Sequence, residues 1–120
     1  MGPRQILASA KMLIERPERW NQGCSSRDIK GYPCSSESES ADKFSILGAL
    51  ERLAAESGNY QSVESASRIL GGILARRLGH ILPQSERGQR AAIDLISAFN
   101  EIATHQSVLQ LLDSSMVEPS

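Results

Sequence analysis

The chain has 120 residues, of which about 40% are hydrophobic and 22% charged, and this size fits one domain built around a single core. Its formal net charge of −1 argues against a general nucleic-acid binder, because such domains are strongly basic. The charge is nevertheless uneven: successive quarters of the chain carry formal charges of +3, −3, +3 and −4, a pattern typical of faces that pair with one another or with a partner.

The first predicted helix spans residues 3–16. Apolar residues recur there at spacings of three and four, which gives the helix one apolar face, formed by Ile6, Leu7, Ala10, Leu13 and Ile14. Pro17 ends this helix or begins a short extra turn, because proline cannot donate a backbone hydrogen bond.

A small β-hairpin is predicted next, with arms at residues 22–27 and 32–35. Asp28 accepts local backbone hydrogen bonds and Gly31 adopts positive φ, so these two residues predict a tight turn between the arms. Pro33 cannot donate to a strand partner, so its arm is predicted to lie at an edge.

Residues 35–42 are polar and acidic and predict a loop, which leads into a second helix over residues 42–57. The apolar face of this helix is wide, which predicts a central position in the core; it comprises Phe44, Ile46, Leu47, Leu50, Leu53 and Ala54. Gly48 in mid-helix costs roughly 1 kcal/mol relative to Ala, so we expect it to let another backbone approach closely.

A third helix is predicted over residues 60–78, after Gly58 and Asn59 end the second one. Gly71 and Gly72 lie in its middle and predict either a kink or a close helix crossing.

A fourth helix is predicted over residues 89–103, and Thr104 is the predicted N-cap of a fifth over residues 105–116. Residues 117–120 are predicted to be a frayed tail. The sequence therefore predicts a mainly α fold: one compact domain over residues 1–116, a bundle of four to five helices with one small β-hairpin inserted after the first helix.

Short motifs follow one another in a fixed order: "WNQG", "RDIKG", "DKFSILGAL" and "AFNEIATHQSVLQLLD". This order resembles the uncharacterised bacterial and phage family numbered 6197 among the domains of unknown function. The resemblance covers most of the chain; it implies no known activity, and the phage occurrence of the family allows an accessory or anti-defence factor. The matching residues are Trp20, Gly23, Arg27, Asp28, Gly31, Phe44, Gly48, Ala49, Leu50, Phe99, Asn100, Glu101, Thr104, Val108, Leu109, Leu111, Leu112 and Asp113.

Catalytic and metal-binding patterns are scarce. The chain has no Cys-x-x-Cys, His-Glu-x-x-His or G-x-G-x-x-G spacing, so we expect no metal and no cofactor. A cysteine enzyme could be assembled from Cys24, a base at His80 or His105, and Asn100 as the residue that orients the base. We favour the simpler interpretation that Cys24 is a small apolar residue of the hairpin, that both histidines are surface groups, and that the protein is not an enzyme.

The two cysteines are predicted to be free thiols. In the hairpin register Cys24 lies diagonal to Cys34, which does not favour a disulfide. We expect a cytoplasmic protein, because no apolar stretch approaches the ~18 residues of a membrane span and the N-terminal residues lack a secretory pattern.

A basic cluster lies in the third quarter of the chain and comprises Arg68, Arg76, Arg77, Arg87 and Arg90. Arg76 and Arg77 point about 100° apart around a helix, so they cannot share one ligand atom. A solvated surface is the favoured interpretation; the alternative is a binding protein for a nucleotide or another small anion, using this cluster and the gap at Gly71 and Gly72.

The turn of the hairpin is the candidate contact surface. Trp20 is predicted chiefly as a lid on the core. An exposed Ile and Tyr beside an Arg resemble the anchors of a protein interface. We therefore predict a small non-enzymatic interaction module that binds a protein partner or a second copy of itself, with no membrane and no nucleic-acid partner. The candidate binding residues are Trp20, Arg27, Asp28, Ile29, Tyr32, Arg76 and Arg77.

Overall fold

A computed structural model gives the structure of residues 2–117, which form five α-helices and a two-stranded antiparallel sheet. The radius of gyration is 13.3 Å, close to the ~13.6 Å of a compact chain of this length. The predicted fold class is confirmed, and residues 118–120 of the predicted tail lie outside the described residues. The elements are α1 (Pro3–Ile14), a 3₁₀ turn (Pro17–Arg19), β1 (Ser26–Asp28), β2 (Ala41–Phe44), α2 (Ile46–Ser57), α3 (Tyr60–Arg77), α4 (Glu86–Ile102) and α5 (His105–Val117).

Helix α1 lies against α2, α3 and α5. On its apolar face Ile6, Leu7, Ala10 and Ile14 are buried, and Leu13 is partly buried. The proline of the 3₁₀ turn starts a short extra turn after α1, one of the two predicted outcomes. The core is aliphatic apart from one phenylalanine, as the scarcity of aromatic residues implies. Its largest fully buried side chains are Phe44, Ile6, Leu7, Ile14, Ile46, Leu50, Leu70, Ile96, Leu111, Leu112 and Val108.

The partner of β1 differs from the prediction. Strand β1 pairs with β2, with Ser26 opposite Phe44, whereas the sequence placed residues 42–44 in a helix. That prediction is wrong because the backbone of these residues is used for pairing with a distant strand. Helix α2 instead begins at Ile46, where the Ser45 hydroxyl accepts a hydrogen bond from the Gly48 amide at 3.0 Å.

The predicted second arm of the hairpin lies on the other side of β1. The Asp28 amide donates to the Tyr32 carbonyl at 2.9 Å, and the Cys34 amide donates to the Ser26 carbonyl at 3.1 Å. Pro33 makes only an isolated bridge. Strand β1 is thus flanked on both sides, and the arm that contains Pro33 lies at the edge, as predicted.

Gly48 is the point at which β1 approaches α2. A Cβ atom added to Gly48 would lie 2.0 Å from the Ser25 carbonyl oxygen, closer than any side chain allows. The Ser45 amide donates to that same oxygen at 2.9 Å. The predicted close approach of another backbone is therefore confirmed, and it brings the sheet onto the first turn of α2.

Helices α3 and α4 run parallel. Arg68 Nε donates to Gln89 Oε1 at 2.9 Å, a separation of 21 residues. Gly71 lies against Ala92, at the same separation, and a Cβ atom on Gly71 would be 2.4 Å from the Ala92 Cβ. A constant offset along both helices means that they point the same way. Helix α3 is uninterrupted, so of the two predicted outcomes the close crossing is the observed one.

The linker over residues 78–85 therefore has to return along α3 before α4 can begin. Helix α4 starts three residues earlier than predicted, because the Ser85 hydroxyl caps it by accepting from the Gly88 amide at 3.3 Å.

The predicted cap of α5 is confirmed, since Thr104 Oγ1 accepts from the Ser107 amide at 3.1 Å. Within residues 2–117, no helix is both long and apolar enough to cross a membrane.

Candidate functional site

The turn over residues 28–31 is held by its own hydrogen bonds. The Gly31 amide donates to the Asp28 carbonyl oxygen at 2.9 Å. Asp28 Oδ1 accepts from the amides of Lys30 and Tyr32, at 3.0 Å each. Gly31 has a φ of 89°, a conformation that L side chains rarely adopt. The predicted turn is confirmed, and Asp28 and Gly31 give it one defined shape.

Arg27 fastens this turn to the body of the protein. Its Nε donates to Asn21 Oδ1 at 2.8 Å, and its Nη1 donates to the Gly31 carbonyl at 3.0 Å. Asn21 is itself buried. The Arg27 side chain therefore positions the turn, and so does the Asp28 carboxylate; that these two residues also contact a partner stays a prediction.

The residues at the end of the turn face solvent. Ile29 is 82% exposed and Tyr32 is 66% exposed, and Lys30 between them is exposed too. We call Ile29, Lys30 and Tyr32 the exposed tip. A large apolar side chain that is both exposed and held on a rigid turn loses little conformational freedom when it is buried by a partner.

Trp20 is half-buried and covers the core rather than forming part of the exposed tip. Its side chain packs against the core cluster, and its ring centroid lies 5.7 Å from that of His105, with the planes tilted by 42°. Its Nε1 donates to Asn100 Oδ1 at 2.9 Å. The structure thus places Trp20 as the predicted lid.

Asn100 is 2% exposed and joins three elements. Its Oδ1 accepts from Trp20 Nε1 and from the Ile46 amide at 3.1 Å, the first amide of α2. Its Nδ2 donates to the Asn21 carbonyl at 3.0 Å. The sequence suggested for Asn100 only a role as an orienting residue in a cysteine enzyme; its actual hydrogen bonds hold α4, the "WNQG" segment and the start of α2 together.

Gln22 and Glu101 complete this arrangement. Gln22 Nε2 donates to the carbonyl oxygen of Asn100 at 2.9 Å, within the last turn of α4, where carbonyl groups lack helical partners. The Gly23 amide donates to Glu101 Oε1 at 2.8 Å. Gln22 was not singled out from the sequence, and Glu101 was named only among the residues that match the family; the amide-rich "WNQG" and the "FNE" step are the signal. We call Trp20, Asn21, Gln22, Asn100 and Glu101 the Asn100 network.

A polar crevice of about 120 Å³ adjoins the network and is lined by Gly23, Cys24, Ser25, Ser45, Leu47, Ser97, Asn100 and Glu101. The Cys24 thiol lies 3.4 Å from Asn21 Nδ2 and 3.4 Å from the Ser26 carbonyl oxygen. His105 Nε2 instead lies 2.6 Å from the Ile14 carbonyl. Among the described residues, no hydrogen bond joins Cys24 to a histidine.

Both cysteines are free thiols in the structure. The Cys34 amide donates to the Ser26 carbonyl, so Ser26 is the residue opposite Cys34. Cys24, two residues before Ser26, therefore lies diagonal to Cys34, as the predicted register required. Within residues 2–117, no group of three or more His, Cys, Asp and Glu side chains is placed to hold a metal ion.

Arg76 and Arg77 face different cavities, as their spacing implied. Arg76 lines a cavity together with Arg68 and Gly72. Arg77 lines an apolar groove of about 230 Å³ at the C-terminal ends of α3 and α4, which also includes Leu74, Leu78, Leu95, Ala98, Phe99 and Ile102. Arg68 and Arg76 therefore lie on one surface and Arg77 on another, whereas Arg87 and Arg90 line neither of these two cavities.

Comparison with known proteins gives one finding at the level of the whole chain. The model of a family of unknown function (DUF6197) matches residues 1–116. Comparison with curated proteins and with solved structures found no match.

Proposed function

Because the chain belongs to DUF6197, a family of unknown function, we propose a function from its geometry: it is a small non-enzymatic module that binds another protein through the exposed tip. The observation that carries this proposal is the exposure of Ile29 and Tyr32 on a turn that four hydrogen bonds from Arg27 and Asp28 hold in place. Such preorganisation favours binding because little entropy remains to be lost.

The chemistry of the tip indicates the kind of surface it binds. Ile29 and Tyr32 offer apolar area, and Tyr32 adds a hydroxyl group. Lys30 carries a positive charge between them, whereas the Asp28 carboxylate accepts two hydrogen bonds within the turn. The complementary surface is a shallow apolar pocket with carboxylates at its rim, since opposite charges steer association and fix orientation.

The non-enzymatic part of the proposal is supported by the crevice beside Cys24. A cysteine nucleophile needs a neighbouring base. The hydrogen bonds of Cys24 join it to Asn21 and Ser26, while His105 Nε2 is bonded to the Ile14 carbonyl and its ring lies tilted against that of Trp20. These contacts fit a structural role for Cys24 and His105 better than a catalytic one.

The test compares two double variants with matched exposure. Ile29→Ser/Tyr32→Ser removes the apolar tip, and Ile102→Ser/Tyr60→Ser is the control, because Ile102 is 86% exposed and Tyr60 is 62% exposed on other surfaces. Each protein is immobilised in a cell lysate, the proteins retained are quantified by mass spectrometry, and the best candidate is purified and titrated calorimetrically.

A partner that binds the wild type and the control, and binds the tip variant at least tenfold more weakly, supports the proposal; tenfold is about 1.4 kcal/mol. If every purified candidate binds the tip variant and the wild type with equal affinity, the exposed tip is not the binding surface.

The same variants test whether the protein acts as a phage-type accessory or anti-defence factor. As such a factor the module would dock on a host defence protein. Phage plating is therefore compared on bacteria that make the wild type, the tip variant or the control. A plating advantage that the wild type and control share and the tip variant lacks supports this setting, and equal plating on all three strains argues against it.

A further inference from the structure

A second surface, which shares no residue with the exposed tip, lies between α3 and the returning linker. The cavity there measures about 330 Å³ and is lined by Arg68, Gly72, Arg76, Ile81, Leu82, Pro83, Gln84 and Gly88. Arg68, Gly72 and Arg76 are spaced four residues apart, so they lie in one row along α3. The parallel packing of α3 and α4 creates this cavity, because it forces the linker to run back across that row.

Gly72 is the informative residue of the cavity, because helix packing does not require it. Its neighbour Gly71 is required, since a Cβ atom there would lie 2.4 Å from the Ala92 Cβ. A Cβ atom on Gly72 would meet nothing closer than Arg76 Nη1, at 3.9 Å. Glycine inside a helix lowers its stability. Its effect here is to leave room above the backbone at Gly72, and the Arg76 guanidinium borders that space.

Arg68, which also lines the cavity, is fixed in place. Its Nε donates to Gln89 Oε1 at 2.9 Å, and its Nη2 lies 3.1 Å from Glu64 Oε1. These two contacts set the plane of the guanidinium before any ligand arrives, which lowers the entropic cost of binding. Arg68 and Arg76 both line this cavity, and a pair of guanidinium groups suits the oxygens of a phosphate.

The opposite wall of the cavity is apolar. The linker contributes Ile81, Leu82 and Pro83, and Gln84 adds an amide. The volume falls in the range of about 300–1,000 Å³ that small-molecule sites occupy. An inorganic ion alone would leave this wall uncovered, so the cavity fits a ligand with an anionic end and an apolar body.

We propose that this cavity binds a small organic phosphate. Arg68 and Arg76 bind the phosphate beside Gly72, and the organic part lies against Leu82 and Pro83. A nucleoside monophosphate has this chemistry and size. The site is independent of protein binding at the exposed tip, so either proposal can fail without the other.

Calorimetry and amide NMR with AMP, GMP and inorganic phosphate test the site. We expect a nucleoside monophosphate to bind the wild type with a Kd below about 1 mM and to shift the amide signals of Gly72 and Gly88. Arg68→Gln and Arg76→Gln are each expected to weaken binding at least tenfold. Arg90→Gln, an exposed arginine that does not line the cavity, is the control for charge and is expected to bind as the wild type does.

Gly72→Leu separates binding from folding. Leucine is a better helix former than glycine, so this variant is expected to melt at least as high as the wild type while losing binding, because its side chain fills the cavity at Gly72. If neither AMP nor GMP binds the wild type, the proposal is wrong. It is also wrong if Arg90→Gln loses as much affinity as Arg68→Gln and Arg76→Gln do. Inorganic phosphate binding as tightly as the nucleotides overturns the role given to the apolar wall.

Discussion

The indole Nε1 of Trp20 donates to Oδ1 of Asn100 at 2.9 Å, although the two residues are 80 positions apart in the chain. This bond connects the segment after α1 with the last turn of α4. The same Oδ1 accepts the first amide of α2. One buried amide side chain thus ties the segment before β1 to α4 and to the start of α2, and so helps to set the direction of the exposed tip.

Replacing Asn100 by Ala is expected to lower the free energy of unfolding by about 3–5 kcal/mol, because it leaves Trp20 Nε1, the Ile46 amide and the Asn21 carbonyl without their partner, and each buried group left unpaired costs roughly 1–3 kcal/mol. Urea denaturation measures the change. Ser97→Ala, an exposed residue on the same helix, is the control and should stay within about 0.5 kcal/mol of the wild type. A loss below about 1 kcal/mol for Asn100→Ala would contradict the importance given to the network.

The two adjacent glycines of α3 are expected to respond with opposite signs. Gly71→Ala forces a methyl group against Ala92 and should destabilise the protein by about 1–3 kcal/mol, as overpacking does. Gly72→Ala meets only Arg76 Nη1, at an ordinary contact distance of 3.9 Å, and should stabilise the protein by up to about 1 kcal/mol through helix propensity. Thermal melts of the two single variants check both signs. Equal effects would mean that α3 and α4 do not cross at Gly71.

Asp28→Ala is expected to loosen the turn, since the amides of Lys30 and Tyr32 lose their acceptor, at a cost of about 1 kcal/mol. Asp28→Asn keeps the accepting Oδ1 and should behave much like the wild type. The rate of hydrogen exchange at the Tyr32 amide measures this loosening, and we expect faster exchange in Asp28→Ala alone. If both variants exchange at the wild-type rate, the carboxylate does not hold the turn.

Thr104→Ala removes the hydroxyl that accepts from the Ser107 amide, and should cost about 1 kcal/mol, as the loss of an N-cap does. Thr104→Ser keeps the hydroxyl and should recover most of that stability. Gln106→Ala, at the exposed second position of α5, is a control that should change little. The free energy of unfolding from urea titration separates the three, and a loss in the control that matches Thr104→Ala would point to the helix rather than its cap.

Much of the fold could be predicted because its signals are local in the chain. The apolar periodicity of α1, the cap at Thr104 and the turn at Asp28 and Gly31 each depend on residues within a few positions of one another. Gly48 and Gly71 were also recognised as places of close approach, because a glycine inside a helix needs a reason. In neither case did the sequence identify what approaches.

The tertiary structure decided everything that depends on a distant partner. Residues 42–44 read as the start of a helix, but pairing with β1 draws them into a strand. Asn100 carries no local signal for its three partners.

By itself, then, the sequence determined which segments form the five helices, the cap of α5 at Thr104 and the tight turn between the first two helices, because those preferences come from neighbouring residues. The parallel course of α3 and α4, the cavity on Gly72 and the network around Asn100 were decided only when the chain packed, because a hydrogen bond or a crossing between distant segments depends on the path of all the residues between them.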